Sequence, residues 1–133
     1  MKALEGNGET VLVIDDISEQ RELASRILTR LGYRVSTLGS GEEAVEYLRN
    51  KKADILVLDM IMSGMDGLDT YRQVLETHPR QKAIIASGYS ETDRVKKAQD
   101  LGAGEYVKKP YTMQNIGLAL RQELHINPSL EIF

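Results

Sequence analysis

The chain has 133 residues, of which 41% are hydrophobic and 28% charged, and its net charge is −3. That length suits one compact domain with a real core, and the composition excludes a disordered or fibrous chain. The acidic balance argues against direct nucleic-acid binding. The lack of cysteine excludes disulfides, thiolate metal sites and cysteine nucleophiles, and fits the reducing cytoplasm, the expected location.

No apolar run approaches the roughly 20 residues of a membrane helix, so no membrane insertion is expected. Residues 1–9 read as a polar leader. The run Val11 to Ile14 does not alternate with polar residues, which suits a strand buried on both faces. A helix follows, with Leu23, Ile27 and Leu31 as its apolar stripe, Ser18 as its cap and Gly32 as its stop. A weaker strand spans Arg34 to Leu38. Ser40-Gly41-Glu42-Glu43 has the capping-box pattern and opens a helix carrying Ala44, Val45 and Leu48.

Ile55 to Leu58 is a second buried run. Gly67 to Thr77 reads as a helix with Leu68, Tyr71 and Leu75 on one face, stopping before Pro79. Ala83 to Ala86 is a third buried run. The next helix begins near Ser90 and ends at Leu101-Gly102, with only Val95 and Ala98 to bury. A weak strand at Glu105 to Val107 precedes a helix after Thr112 with Ile116, Leu120 and Leu124 in one stripe. Residues 125–133 form a short tail, whose Ile126, Leu130, Ile132 and Phe133 either pack back or stay loose.

Strict alternation of strand and helix predicts an α/β domain over residues 10–124, with a parallel sheet between helices. In such a sheet, ligands bind beyond the carboxyl ends of the strands. Asp15 and Asp16 follow the first run, Asp59 the second, Ser87 and Gly88 the third, and Lys108, Lys109 and Pro110 the last strand. Three carboxylates on one rim repel, and two unit charges about 4 Å apart interact by roughly 4 kcal/mol at an effective dielectric of 20. Such a cluster needs cations. A lysine helps, and an open, oxygen-rich site suits Mg²⁺. The set reads as a phosphoryl-transfer site, with a carboxylate nucleophile, a divalent ion, a lysine and a hydroxyl.

Asp15-Asp16, Asp59 to Gly67, Ser87-Gly88-Tyr89 and Lys109-Pro110, in this order, resemble the receiver domain of two-component response regulators. The resemblance spans about Thr10 to Leu124. It implies a flavodoxin-like, doubly wound sheet of five parallel strands in the order 2-1-3-4-5, with five helices. It implies that Asp59 accepts the phosphoryl group from a phosphohistidine of a histidine kinase or phosphotransfer protein. Asp16 would bind Mg²⁺ directly, Asp15 directly or through water, and Ile61 through its carbonyl. Lys109 would pair with Asp59, Ser87 would hold the phosphoryl group, and Tyr106 would rotate inward when Ser87 moves. The Lys109-Pro110 bond would be cis.

Ser63 stands where the family usually has proline, which predicts a less rigid loop after Asp59. The bulk of Ile61 and Tyr89 beside the path of hydrolytic water predicts slow self-dephosphorylation. The stretches Ser87 to Ser90 and Leu101 to Tyr111 are similar to receivers fused to the C-terminus of hybrid sensor kinases; a free-standing receiver fits equally. Such a domain catalyses only its own phosphorylation and dephosphorylation, and its downstream partner is not legible. An aspartyl-nucleophile phosphatase would need a second acid where Ile61 stands. A nucleotide- or flavin-binding module would need glycines or hydroxyls in place of Asp15-Asp16.

Overall fold

The computed structural model describes residues 4–88 and 92–125. The elements alternate as β1 (Thr10–Ile14), α1 (Ser18–Arg30), β2 (Arg34–Leu38), α2 (Gly41–Asn50), β3 (Ile55–Asp59), α3 (Gly67–Thr77), β4 (Lys82–Ser87), α4 (Asp93–Asp100), β5 (Tyr106–Lys108) and α5 (Met113–His125). One five-stranded sheet has the order β2-β1-β3-β4-β5, and every neighbouring pair is parallel. The expected flavodoxin-like architecture is the one found.

Successive side chains of a strand point to opposite faces, so each buried run feeds two cores. Val11, Val13, Ile55, Val57, Ile84 and Ala86 pack with Ala24, Leu28 and Leu31 from α1 and around α1's end, and with Ile116, Ala119 and Leu120 of α5. Leu12, Ile14, Leu56, Leu58, Ala83 and Ile85 pack with Ala44 and Leu48 of α2, Leu68, Tyr71 and Val74 of α3, and Val95 and Ala98 of α4. Helices α1 and α5 therefore cover one face, and α2, α3 and α4 the other. This double coverage is why the runs lack polar alternation.

Several local readings are corrected. Ser18 is the first residue of α1, not its cap; Ile17 holds the cap position without a side-chain bond. Instead, Asp15 Oδ1 accepts from the Ile17 N–H at 2.9 Å, which satisfies an amide of that turn from the preceding loop. Leu23 is exposed, and the buried stripe of α1 runs through Ala24 and Leu28. On α3 it is Val74 that joins Leu68 and Tyr71 in full burial, with Leu75 at the margin. The cap of α4 is Thr92, whose hydroxyl accepts from the Val95 N–H; Ser90 lies outside the described residues. Strand β5 sits one residue later than expected. Ser40 caps α2 as the pattern predicts, accepting from the Glu43 N–H at 3.1 Å. The residues of the C-terminal tail beyond His125 lie outside the described residues. Among the described residues, no helix is long and apolar enough to cross a membrane.

Candidate functional site

The strand ends bring the acids together. Strand β3 carries four buried apolar residues and then Asp59, which is 3% exposed as the strand's last residue. Its neighbour β1 ends at Ile14, so Asp15 and Asp16 leave the sheet at the same edge. Carboxylate oxygens of Asp15, Asp16 and Asp59 all lie within 4.8 Å of one another. Asp15 is fully buried, while Asp16 is half-buried and lines a cleft of about 490 Å³ with Asp59, Ile61, Ser87, Lys109 and Pro110.

Lys109 follows β5 and reaches back across two strands. Its Nζ donates to Asp15 Oδ2 at 2.5 Å and lies 3.3 Å from Asp59 Oδ1. The expected Lys109–Asp59 pairing is present, but the shorter contact is to Asp15. The Lys109-Pro110 peptide bond is cis, as expected. One lysine does not neutralise three carboxylates. Burial, and then the charge of Asp15, push the Asp59 carboxyl up to about 6 against the opposing pull of Lys109 and the Ile61 N–H. The arrangement is an acidic, oxygen-lined pocket poised for a small, highly charged cation.

The loop from Met60 to Asp66 is tied at three places. The Ser63 N–H and hydroxyl donate to Asp16 Oδ2 at 3.0 and 3.3 Å. The Met65 N–H donates to Glu42 Oε2 of α2 at 3.2 Å. Asp66 caps α3, accepting from the Asp69 N–H, and receives Arg94 of α4 at 2.6 and 3.0 Å. Ser63 makes the first of these ties with an N–H that proline lacks. Gly67 lies so close to the end of β3 that an added Cβ would meet the Asp59 carbonyl oxygen at 2.6 Å and Met60 Cα at 2.9 Å. Only glycine lets α3 start there.

Ser87 ends β4 and is 3% exposed at the cleft. Tyr106 is half-buried on β5 and packs on the same core as Val95 and Ala98 of α4. Ile61 places its backbone N–H on Asp59 and leaves its side chain 53% exposed. Tyr89 lies outside the described residues. Three groups escaped sequence reasoning: Ser63 as a donor to Asp16, Arg94 as the partner of Asp66, and Arg21, whose guanidinium donates to the Asp15 carbonyl at 2.7 Å. Of these, only Ser63 carried a signal, its replacement of an expected proline.

The profile of the response regulator receiver domain matches residues 11–121. The chain belongs to this family. The receiver is 31% identical over 116 residues to the chemotaxis protein CheY of Thermotoga maritima, a match covering 86% of this chain and 97% of that protein. It is 37% identical over 101 residues to the DNA-binding transcriptional regulator NtrC of Escherichia coli K12, covering 76% of this chain but 22% of NtrC. The receiver thus spans about a fifth of that relative. Among solved structures, it superposes on a CheX-CheY-BeF3-Mg+2 complex of Borrelia burgdorferi with a TM-score of 0.80 and 26% identity, covering 86% of this chain and 87% of that one. A receiver domain protein of Clostridium thermocellum gives 0.81 and 28%, covering 94% and 99%. The chain is a receiver module of two-component signalling.

Proposed function

We propose that this receiver takes a phosphoryl group onto Asp59 from the phosphohistidine of a histidine kinase or phosphotransfer protein, with Mg²⁺, and changes its binding surface as a result. The observation that carries this reading is the convergence of Asp15, Asp16, Asp59 and Lys109 beside Ser87 at one sheet edge. The Borrelia burgdorferi neighbour, whose complex contains BeF3 and Mg+2, supports it.

The carboxylates of Asp15, Asp16 and Asp59 and the carbonyl of Ile61 would hold the cation, which when bound neutralises phosphoryl oxygens during transfer. An Asp59 oxygen attacks phosphorus. The P–O bond forms as the P–N bond breaks, and the electron pair returns to the imidazole nitrogen, which takes a proton. Lys109 shifts from the two aspartates towards a phosphoryl oxygen. The Ser87 hydroxyl then donates to another, and Tyr106 turns inward behind it. The chemistry ends with hydrolysis of the acyl phosphate, so the domain turns over no other substrate. No acid stands two residues after Asp59 to protonate a leaving group, because Ile61 is there. Residues 10–124 form the working unit in this reading, with 1–9 and 125–133 as flanks, and the cytoplasm is its place. The face of α4, β5 and α5 presents the output.

Asp59→Asn abolishes labelling by a small-molecule phosphodonor with Mg²⁺, measured by intact-protein mass. Undiminished labelling of that variant would remove Asp59 as the acceptor.

A further inference from the structure

Asp16 and Ser63 come from loops 47 residues apart and meet at the rim of the cleft. Both donors of Ser63 fall on one oxygen, Asp16 Oδ2, the backbone N–H at 3.0 Å and the hydroxyl at 3.3 Å. A carboxylate accepts about four hydrogen bonds or ligand contacts, so these two leave capacity on the group. Asp16 is the most accessible of the three converging acids; Asp15 is fully buried against Lys109 and Asp59 is 3% exposed. A half-exposed aspartate in a loop has several open rotamers. The rotamer bonded to Ser63 is the one in which Asp16 offers an oxygen within 4.8 Å of those of Asp15 and Asp59.

We infer that Ser63 is a positioning residue for divalent-cation binding: its two hydrogen bonds hold Asp16 in the converging rotamer before the cation arrives. This rests on the reading of the cluster as a Mg²⁺ site. Partners that orient a ligating carboxylate commonly change metal affinity by about 10–100-fold when removed. The opposite role, in which Ser63 withholds Asp16 from the ion, predicts the opposite sign.

The test is calorimetric Mg²⁺ titration of the unphosphorylated protein, without a phosphodonor. Ser63→Pro, which removes both donors, weakens binding by about tenfold. Ser63→Ala keeps the N–H and weakens it less. In the Asp16→Ala background, Ser63→Pro causes no further loss. In the metal-free protein, Asp16→Ala shifts the Ser63 amide proton upfield, which reports the hydrogen bond without any cation. Equal or tighter Mg²⁺ binding by Ser63→Pro, or an undiminished effect of that change in the Asp16→Ala background, overturns the inference while leaving the Mg²⁺ site standing. Failure of the unaltered protein to bind Mg²⁺ overturns both.

Discussion

Asp59 is the residue on which the site's electrostatics concentrate. Its carboxyl is lifted to about 6 by burial and by Asp15. Above that pH the folded protein holds a charge that the unfolded chain would carry at less cost. Between about 4 and 6 the folded state binds the extra proton, so stability falls as pH rises through this window. One pK unit corresponds to about 1.4 kcal/mol. Without divalent cation at pH 7.5, Asp59→Asn therefore stabilises the fold by on the order of 2 kcal/mol in urea unfolding, and the difference shrinks towards pH 4. Equal stabilities at both pH values would contradict this account. Asp15, Asp16, Asp59 and Lys109 were legible in the sequence because each follows a recognisable strand, and parallel strands end on one edge. The Lys109–Asp15 contact was not, since which of two adjacent acids a lysine reaches depends on side-chain burial. Ser63 and Arg94 bond across loops whose approach no periodicity records.

Among the helices, α4 is short and sparsely packed. Only Val95 and Ala98 are buried in its eight residues, against five buried residues in α3. Its N-terminal turn instead depends on Arg94, which grips Asp66 and lies 3.4 Å from Asp69. Burial raises the Asp66 carboxyl, but the Arg94 bonds and the Asp69 N–H outweigh it and leave a net lowering. That contribution is present above the ordinary carboxylate range and is lost as pH falls below it. Exposed ion pairs are worth about 0.2–1 kcal/mol. Amides of α4 therefore exchange faster than those of α3, and Arg94→Ala speeds exchange in α4 by about two- to fivefold, read by hydrogen exchange. The sparse burial of α4 was readable from its composition. Its start was not, because serine and threonine both suit a cap and both occur just before it.

At the scale of the whole molecule, the sheet divides the core in two, and each central strand serves both halves. Leu56 is fully buried in β3, whereas Leu118 of α5 is 48% exposed. Leu56→Ala costs about 2–5 kcal/mol of unfolding free energy, and Leu118→Ala changes it by less than about 0.5 kcal/mol. Denaturant melts of the two variants check the contrast. The α/β class followed from the runs at 11–14, 55–58 and 83–86, which suit doubly covered strands, and from their alternation with helical patterns. Strand order came from family resemblance, because the periodicity of a buried strand does not say which neighbour it takes.

The brevity of β5 has an outward consequence. The sheet ends on three residues there, with Lys108 exposed among them, and on β2 with Arg34 exposed at the other border. Both margins present a cation that a foreign strand must desolvate, and the short β5 gives it few rungs to climb. Ribbon-like growth of the sheet from molecule to molecule is discouraged at that border.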